Sequence, residues 1–165
     1  MKDRTIVVGV TTHQPSMVVR VAAHVANNFE AVLVCAHVDA GAYVVQQYPD
    51  GSVDSRPIDA DTTEWNGPIF DPEMADRITA WTAAEPVRVE FRELAGDIAH
   101  ALGRLAEVLG SEMIVVGSHR GGLRSSMHDF FGGSVAVHLA HRQPRPLLVV
   151  PLSPAAEGAL PWESE

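Results

Sequence analysis

Between Val115 and Pro151 the chain reads VVGSHRGGLRSSMHDFFGGSVAVHLAHRQPRPLLVVP, and here residue types and spacing could do chemistry. Glycines at 117, 121, 122, 132 and 133 separate an apolar run from a helical pattern that opens at Ser134. Glycines lack a Cβ, so backbone N–H groups can close on an anion. A helix opening at Ser134 and Val135 adds free N–H donors, the positive end of its dipole and a serine hydroxyl. The chemistry would be phosphate binding. The same residues also suit turns and an ordinary helix cap. Two readings of Gly117 to Ser134 therefore stand side by side, a phosphate cradle and a structural turn.

Charge bears on that choice. The chain of 165 residues carries a formal net charge of -9, which argues against a nucleic-acid partner because such binding rests on cations that neutralise phosphates. From Gly117 to Arg145, however, Arg120, Arg124, Arg142 and Arg145 face the single acid Asp129, so the segment is about +3 and the rest about -12. Arg120 and Arg124 could contact a phosphate directly or stand as solvated loop charges.

Other chemistries find less support. Of the 8 histidines, His138 and His141 share a helix face and His119 and His128 lie in the glycine segment, but none has carboxylates at a metal-ligand spacing. His24, His37 and His100 fall at apolar helix or strand positions, so scattered structural histidines are expected. Ser118 and His119 adjoin without a third group to orient the imidazole, and no nucleophile elbow is present. Lys2 is the only lysine, so a Walker-type cation is missing. A slow phosphohydrolase using His119 or His128 stays as a minor alternative. Phe130 and Phe131 could stack on a base, with core packing as the competing role.

The elements that must position the glycine segment are legible from hydropathy. TIVVGV (5–10) and AVLVCAHV (31–38) are continuously apolar, as in strands covered on both faces, and EMIVVG (112–117) and PLLVVP (146–151) read as further strands. VRVEFREL (87–94) is a further strand. Helical spacing follows Pro15, with Val18, Val21, Ala22, Val25 and Ala26 on one face. It recurs from Pro72 to about 84, with Met74, Ile78 and Trp81 together. A third helix carries Ile98, Leu102, Leu105 and Leu109 and stops at Gly110. Strand and helix alternate, so the fold class is α/β, a single three-layer domain with a mostly parallel five-stranded sheet. In such sheets ligands bind beyond the carboxyl ends of the strands. Val10 to His13, Val38 to Gly41 and Gly117 to Ser134 emerge there. The insertion 40–70 holds YVVQQYPDGSVDSRPI, extended on both sides of Pro-Asp-Gly, which predicts an inserted β-hairpin around 43–58.

Strand IVVGV, strand VLVCAHV, the GD that opens a helix, MIVVGSHRG and above all GSVAVHLAHRQPRPLLVVP together resemble the universal stress protein family over nearly the whole chain outside 40–70 and the tail. The resemblance implies a flavodoxin-like, adenine nucleotide alpha hydrolase-like sheet. It also implies a cofactor, ATP or another adenine nucleotide with or without Mg, held by a G-x2-G-x9-G-S/T loop. On this sequence that loop implies Gly117, Gly121 and the pair Gly133 and Ser134, with Val116, Val135 and Arg120 beside them. The residue after the first strand, an acid in the nucleotide-binding branch, is here Thr11, preceded by Val10, and Val38 takes the apolar position against adenine. Arg120 stands at the strict place of the second glycine, and eleven residues separate Gly121 from Gly133.

These readings give a domain at 1–151 with a C-terminal tail at 152–165, in which Trp162 could dock. The resemblance further implies a homodimer through the last strand, Pro146 to Pro151. The expected role is a stress-linked regulator rather than a catalyst, or else a dimeric interaction module that binds no nucleotide. No apolar run is long enough for a bilayer, the start MKDRTIVVGV lacks the pattern of a signal peptide, and the single Cys35 forbids an internal disulfide, so a cytoplasmic protein without a membrane partner is expected.

Overall fold

The computed structural model describes residues 3–118 and 131–152. Five strands form one sheet: β1 (Thr5–Gly9), β2 (Val32–Asp39), β5 (Val89–Ala95), β6 (Met113–Gly117) and β7 (Leu147–Val150). Their order is β5-β2-β1-β6-β7, and every pairing is parallel. Helices α1 (Ser16–Asn28), α2 (Pro72–Thr82), α3 (Ile98–Leu109) and α4 (Phe131–Arg142) cover it. The α/β class, the three layers and the five parallel strands are as the sequence leads one to expect.

Alternation of side chains sorts the strands between two cores. Ile6, Val8, Leu33, Cys35 and Val115 meet α1 and α2, while Val7, Val34, Ala36, Ile114 and Val116 meet α3 and α4. Because both faces are covered, the strand sequences are apolar throughout rather than alternating. Cys35 is fully buried and unpaired, and burial pushes its thiol up to about 12.

Local chemistry sets the helix ends. Asp97, the Asp of GD, caps α3 by accepting from the His100 N–H at 2.8 Å, and Gly110 closes the helix at φ 65. Asp71 caps α2 through the Glu73 N–H. Pro15 is the N-cap of α1 rather than part of its first turn, and it offers no capping side chain. The buried stripe of α1 also includes Val19 and Ala23, because the helix packs on both the sheet and α2.

The hairpin forms as predicted and as a separate two-stranded sheet, β3 (Ala42–Gln47) with β4 (Val53–Pro57). The Gly51 N–H donates to the Tyr48 carbonyl at 3.0 Å, closing a turn over Pro49 and Asp50. Gly51 itself has φ 84, and Val53 joins the α3 core.

One boundary differs from expectation. α4 begins at Phe131, not Ser134, so Gly132, Gly133 and Ser134 belong to its first turn. A serine followed by a periodic pattern reads as a cap, yet glycine in a helix is only disfavoured, by about 1 kcal/mol, and here the helix runs back through both glycines. The expectations placed on Arg120, Gly121, Arg124, His119, His128, Phe130 and Trp162 lie outside the described residues.

Candidate functional site

The strand order reverses between β1 and β6. After β1 the chain crosses through α1 on one face, and after β6 it returns through α4 on the other. In open parallel sheets a ligand crevice belongs at such a switch point, beyond the carboxyl ends of the two adjacent strands. Sequence reasoning placed its site residues at these ends, and the structure brings Val10, Thr11, Val116 and Gly117 together there.

Val10 extends the ladder past β1 by donating its N–H to the Ala36 carbonyl at 2.9 Å, and its side chain is buried. Thr11 is exposed, and its carbonyl accepts from the Gln14 N–H at 3.2 Å, so residues 11–14 form a turn that delivers the chain into α1. With no side-chain cap, the first N–H groups of α1 face the same edge as the crevice. Val38, near the end of β2, is half-buried and packs on the α3 side. Val116 is buried, and Val135 in α4 is half-buried against the same cluster. The backbone of Gly133 and Ser134 lies in the first turn of α4.

Gly117 is the most constrained of these positions. A Cβ there would stand 3.0 Å from Leu152 Cδ1, 3.1 Å from Gln14 Nε2 and 3.1 Å from Val18 Cγ2. A side chain at this position would press on all three, and glycine leaves the end of β6 room to pass beneath them. Beyond it the Ser118 N–H donates to the Val150 carbonyl at 2.7 Å, and the Ser118 hydroxyl accepts from the Leu152 N–H at 2.8 Å. That hydroxyl ties β6 to the exit of β7.

Two groups at this edge went unmarked in the sequence. Gln14 reaches back over the end of β1, its Nε2 3.5 Å from the Gly9 carbonyl, and its Oε1 is buried with no hydrogen-bond partner among the described residues. Arg77 of α2 donates from Nη2 to the Thr12 carbonyl at 3.3 Å and so sets a cation beside the turn after β1. No motif announces either: Gln14 lies in the turn itself and folds back over β1, and Arg77 arrives through the packing of α2 on that turn.

The histidines need a correction. His24 and His100 are exposed rather than apolar-facing, and His24 Nδ1 pairs with Glu85 at 3.1 Å. The amphipathic patterns admit them because each lies at the margin of its helix's buried stripe. His37 is half-buried on β2 and pairs through Nδ1 with Glu93 of β5 at 2.8 Å. The hydrogen bond to Glu93 holds the His37 pKa above its usual 6.5, against the opposing effect of burial. Among the described residues no group of three or more His, Cys, Asp or Glu is placed to hold a metal, and no helix is long and apolar enough to cross a membrane.

Residues 3–151 match the model of the Universal stress protein family. Among solved structures the chain is similar to a universal stress protein in complex with cAMP, at 25% identity and TM-score 0.58, covering 93% of this chain and 100% of that one. A universal stress protein from Archaeoglobus fulgidus is similar at 18% identity and TM-score 0.60, covering 89% and 93%. The universal stress protein from Archaeoglobus fulgidus in complex with dAMP is similar at 16% identity and TM-score 0.57, covering 91% and 99%. No curated protein matches the chain in sequence.

Proposed function

The chain belongs to the universal stress protein family, and from that premise we propose that it binds an adenine nucleotide, ATP foremost, in the crevice between the ends of β1 and β6. The observation that carries the reading is Gly117, pressed against Gln14, Val18 and Leu152 at the point where the strand order reverses. The similar structure with cAMP supports the choice of an adenine ligand.

In this reading Val38 lies toward the base. Thr11 replaces an acid on the sugar side, and the unpartnered Gln14 Oε1 supplies an acceptor for a sugar hydroxyl. Gly117, Gly121, Gly133, Ser134 and Val135 serve the phosphates, and Arg120 adds charge where a glycine would stand. The described residues assemble no protein cage for magnesium, so the nucleotide's phosphates are its expected ligands. The protein acts as a cytoplasmic regulator.

We assign its assembly to β7. That strand forms one edge of the sheet, and Val149 on it is 40% exposed. Pairing with a second copy removes an open apolar edge. The altered glycine spacing favours the competing reading, a dimeric interaction module without nucleotide. Chromatography of material released on denaturing the freshly purified protein separates the two: adenine nucleotide supports binding, and an empty protein that also ignores added nucleotide supports the module.

A further inference from the structure

A second concave feature lies away from the crevice. α3 and the end of α4 flank an open groove of ≈ 360 Å³, lined among others by His100, Arg104, Glu107, Arg142, Gln143 and Arg145. It shares no residue with the nucleotide crevice. Arg145 reaches the Ser111 carbonyl, just before β6 begins, so this end of the groove lies at the amino ends of the strands, away from the crevice.

Its charge is anomalous for an acidic protein. Three arginines line it against the single carboxylate of Glu107, while the whole chain stands at -9. Two of the arginines are anchored in ways that leave donors over. Arg145 donates from Nε to the Ser111 carbonyl at 3.0 Å, and its backbone is pinned by the Gln143 amide, which accepts from the Arg145 N–H at 2.7 Å and donates to its carbonyl at 2.8 Å. Its terminal nitrogens have no hydrogen bond to a described residue. Arg104 donates from Nε to Gln47 Oε1 at 3.1 Å and from Nη1 to Glu107, leaving Nη2 without a hydrogen bond to a described residue. Arg142 makes no hydrogen bond or ion pair among the described residues. Anchored guanidinium groups such as those of Arg104 and Arg145, with donors left over, lose little side-chain freedom on meeting an oxyanion, and the planar fork of each arginine matches phosphate oxygens.

We propose that the groove between α3 and α4 is a second binding site, selective for a small phosphomonoester. The groove falls in the size range of small-molecule pockets. Arg142 and Arg145 take the phosphate oxygens, Arg104 adds a third cation tempered by Glu107, and Leu139 with Ala99 supplies an apolar wall for the carbon part. An oxyanion here also relieves repulsion among like charges.

The test is an amide chemical-shift titration of the full chain at low ionic strength, with inorganic phosphate, glycerol 3-phosphate and an oligoglutamate peptide as probes and sodium chloride as the ionic control. Saturable shifts at His100, Gly103 and Gln143 are expected, with the phosphomonoester tighter than free phosphate. Arg142→Gln should weaken it about 10-fold with the fold intact, because that side chain is exposed and holds nothing else. Arg145→Gln should weaken it too, and the amide spectrum reports whether loss of its bond to Ser111 disturbs the fold. Unsaturable shifts equal to those from chloride, shifts centred on Val10 and Gly117, or an affinity unchanged by Arg142→Gln would each overturn the proposal. Binding of oligoglutamate alone would overturn it in favour of an acidic protein partner.

Discussion

Gln14 and Gly117 meet across the strand-order switch: a Cβ on Gly117 would come within 3.1 Å of Gln14 Nε2, and Gln14 Oε1 lies buried without a hydrogen-bond partner among the described residues. An orphaned acceptor costs the unliganded protein about 1–3 kcal/mol. Gln14→Leu keeps much of the bulk and removes that acceptor. It should stabilise the unliganded protein by about 1 kcal/mol in urea unfolding while weakening nucleotide binding in calorimetry. Lower stability with unchanged nucleotide affinity would make Gln14 purely structural.

Gly117→Val should be harsher. Its side chain would collide with Leu152, Gln14 and Val18, and overpacking of this kind costs about 1–3 kcal/mol. Urea denaturation should show that loss, and nucleotide affinity should fall with it. A variant as stable as the parent would show that the end of β6 is not confined as described.

The hairpin turn is keyed to α3. Gly51 has φ 84, and a Cβ would meet the Leu105 side chain. Gly51→Ala is expected to cost about 2 kcal/mol, from the left-handed backbone and the displaced leucine together. Equal unfolding midpoints for the two proteins would contradict this packing.

These elements differ in how far the sequence revealed them. The central strands were legible because two-sided burial leaves only apolar residues, and the hairpin because Pro-Asp-Gly meets the needs of a tight turn. Asp97 and Gly110 were legible as local capping signals. The start of α4 was not, since Ser134 imitates a cap and two glycines imitate a break. Gln14, Arg77 and the His37–Glu93 pair depend on neighbours far away in the chain, and local pattern carries no trace of such contacts. Of the candidate site, the strand ends with Val10, Thr11, Val116 and Gly117 could be read in advance, while Gln14 and Arg77 could not.

The His37–Glu93 pair predicts a pH dependence. Its bond to Glu93 first, then the charges of Glu93, Asp39 and Asp71, raise the folded pKa of His37 above 6.5. Stability from this pair is therefore complete below 6.5 and is lost as pH rises through the folded value. Glu93→Gln should return the imidazole titration toward 6.5 in an NMR pH series and remove that part of the decline in stability. A His37 titration unchanged by the substitution would exclude Glu93 as the cause.

Assembly through β7 predicts a dimer in light scattering at micromolar concentration. Val149→Lys places a charge on the exposed strand edge and should shift the protein toward monomer. A parent protein that is already monomeric would exclude the interface.

Thermal unfolding with and without ATP, ADP, AMP or cAMP tests the nucleotide crevice. The melting temperature should rise with nucleotide concentration by linkage, and Ser134→Ala should weaken binding by about 1 kcal/mol with the fold retained. No shift at millimolar concentration of any of the four, with or without magnesium, and no nucleotide carried through purification would contradict it.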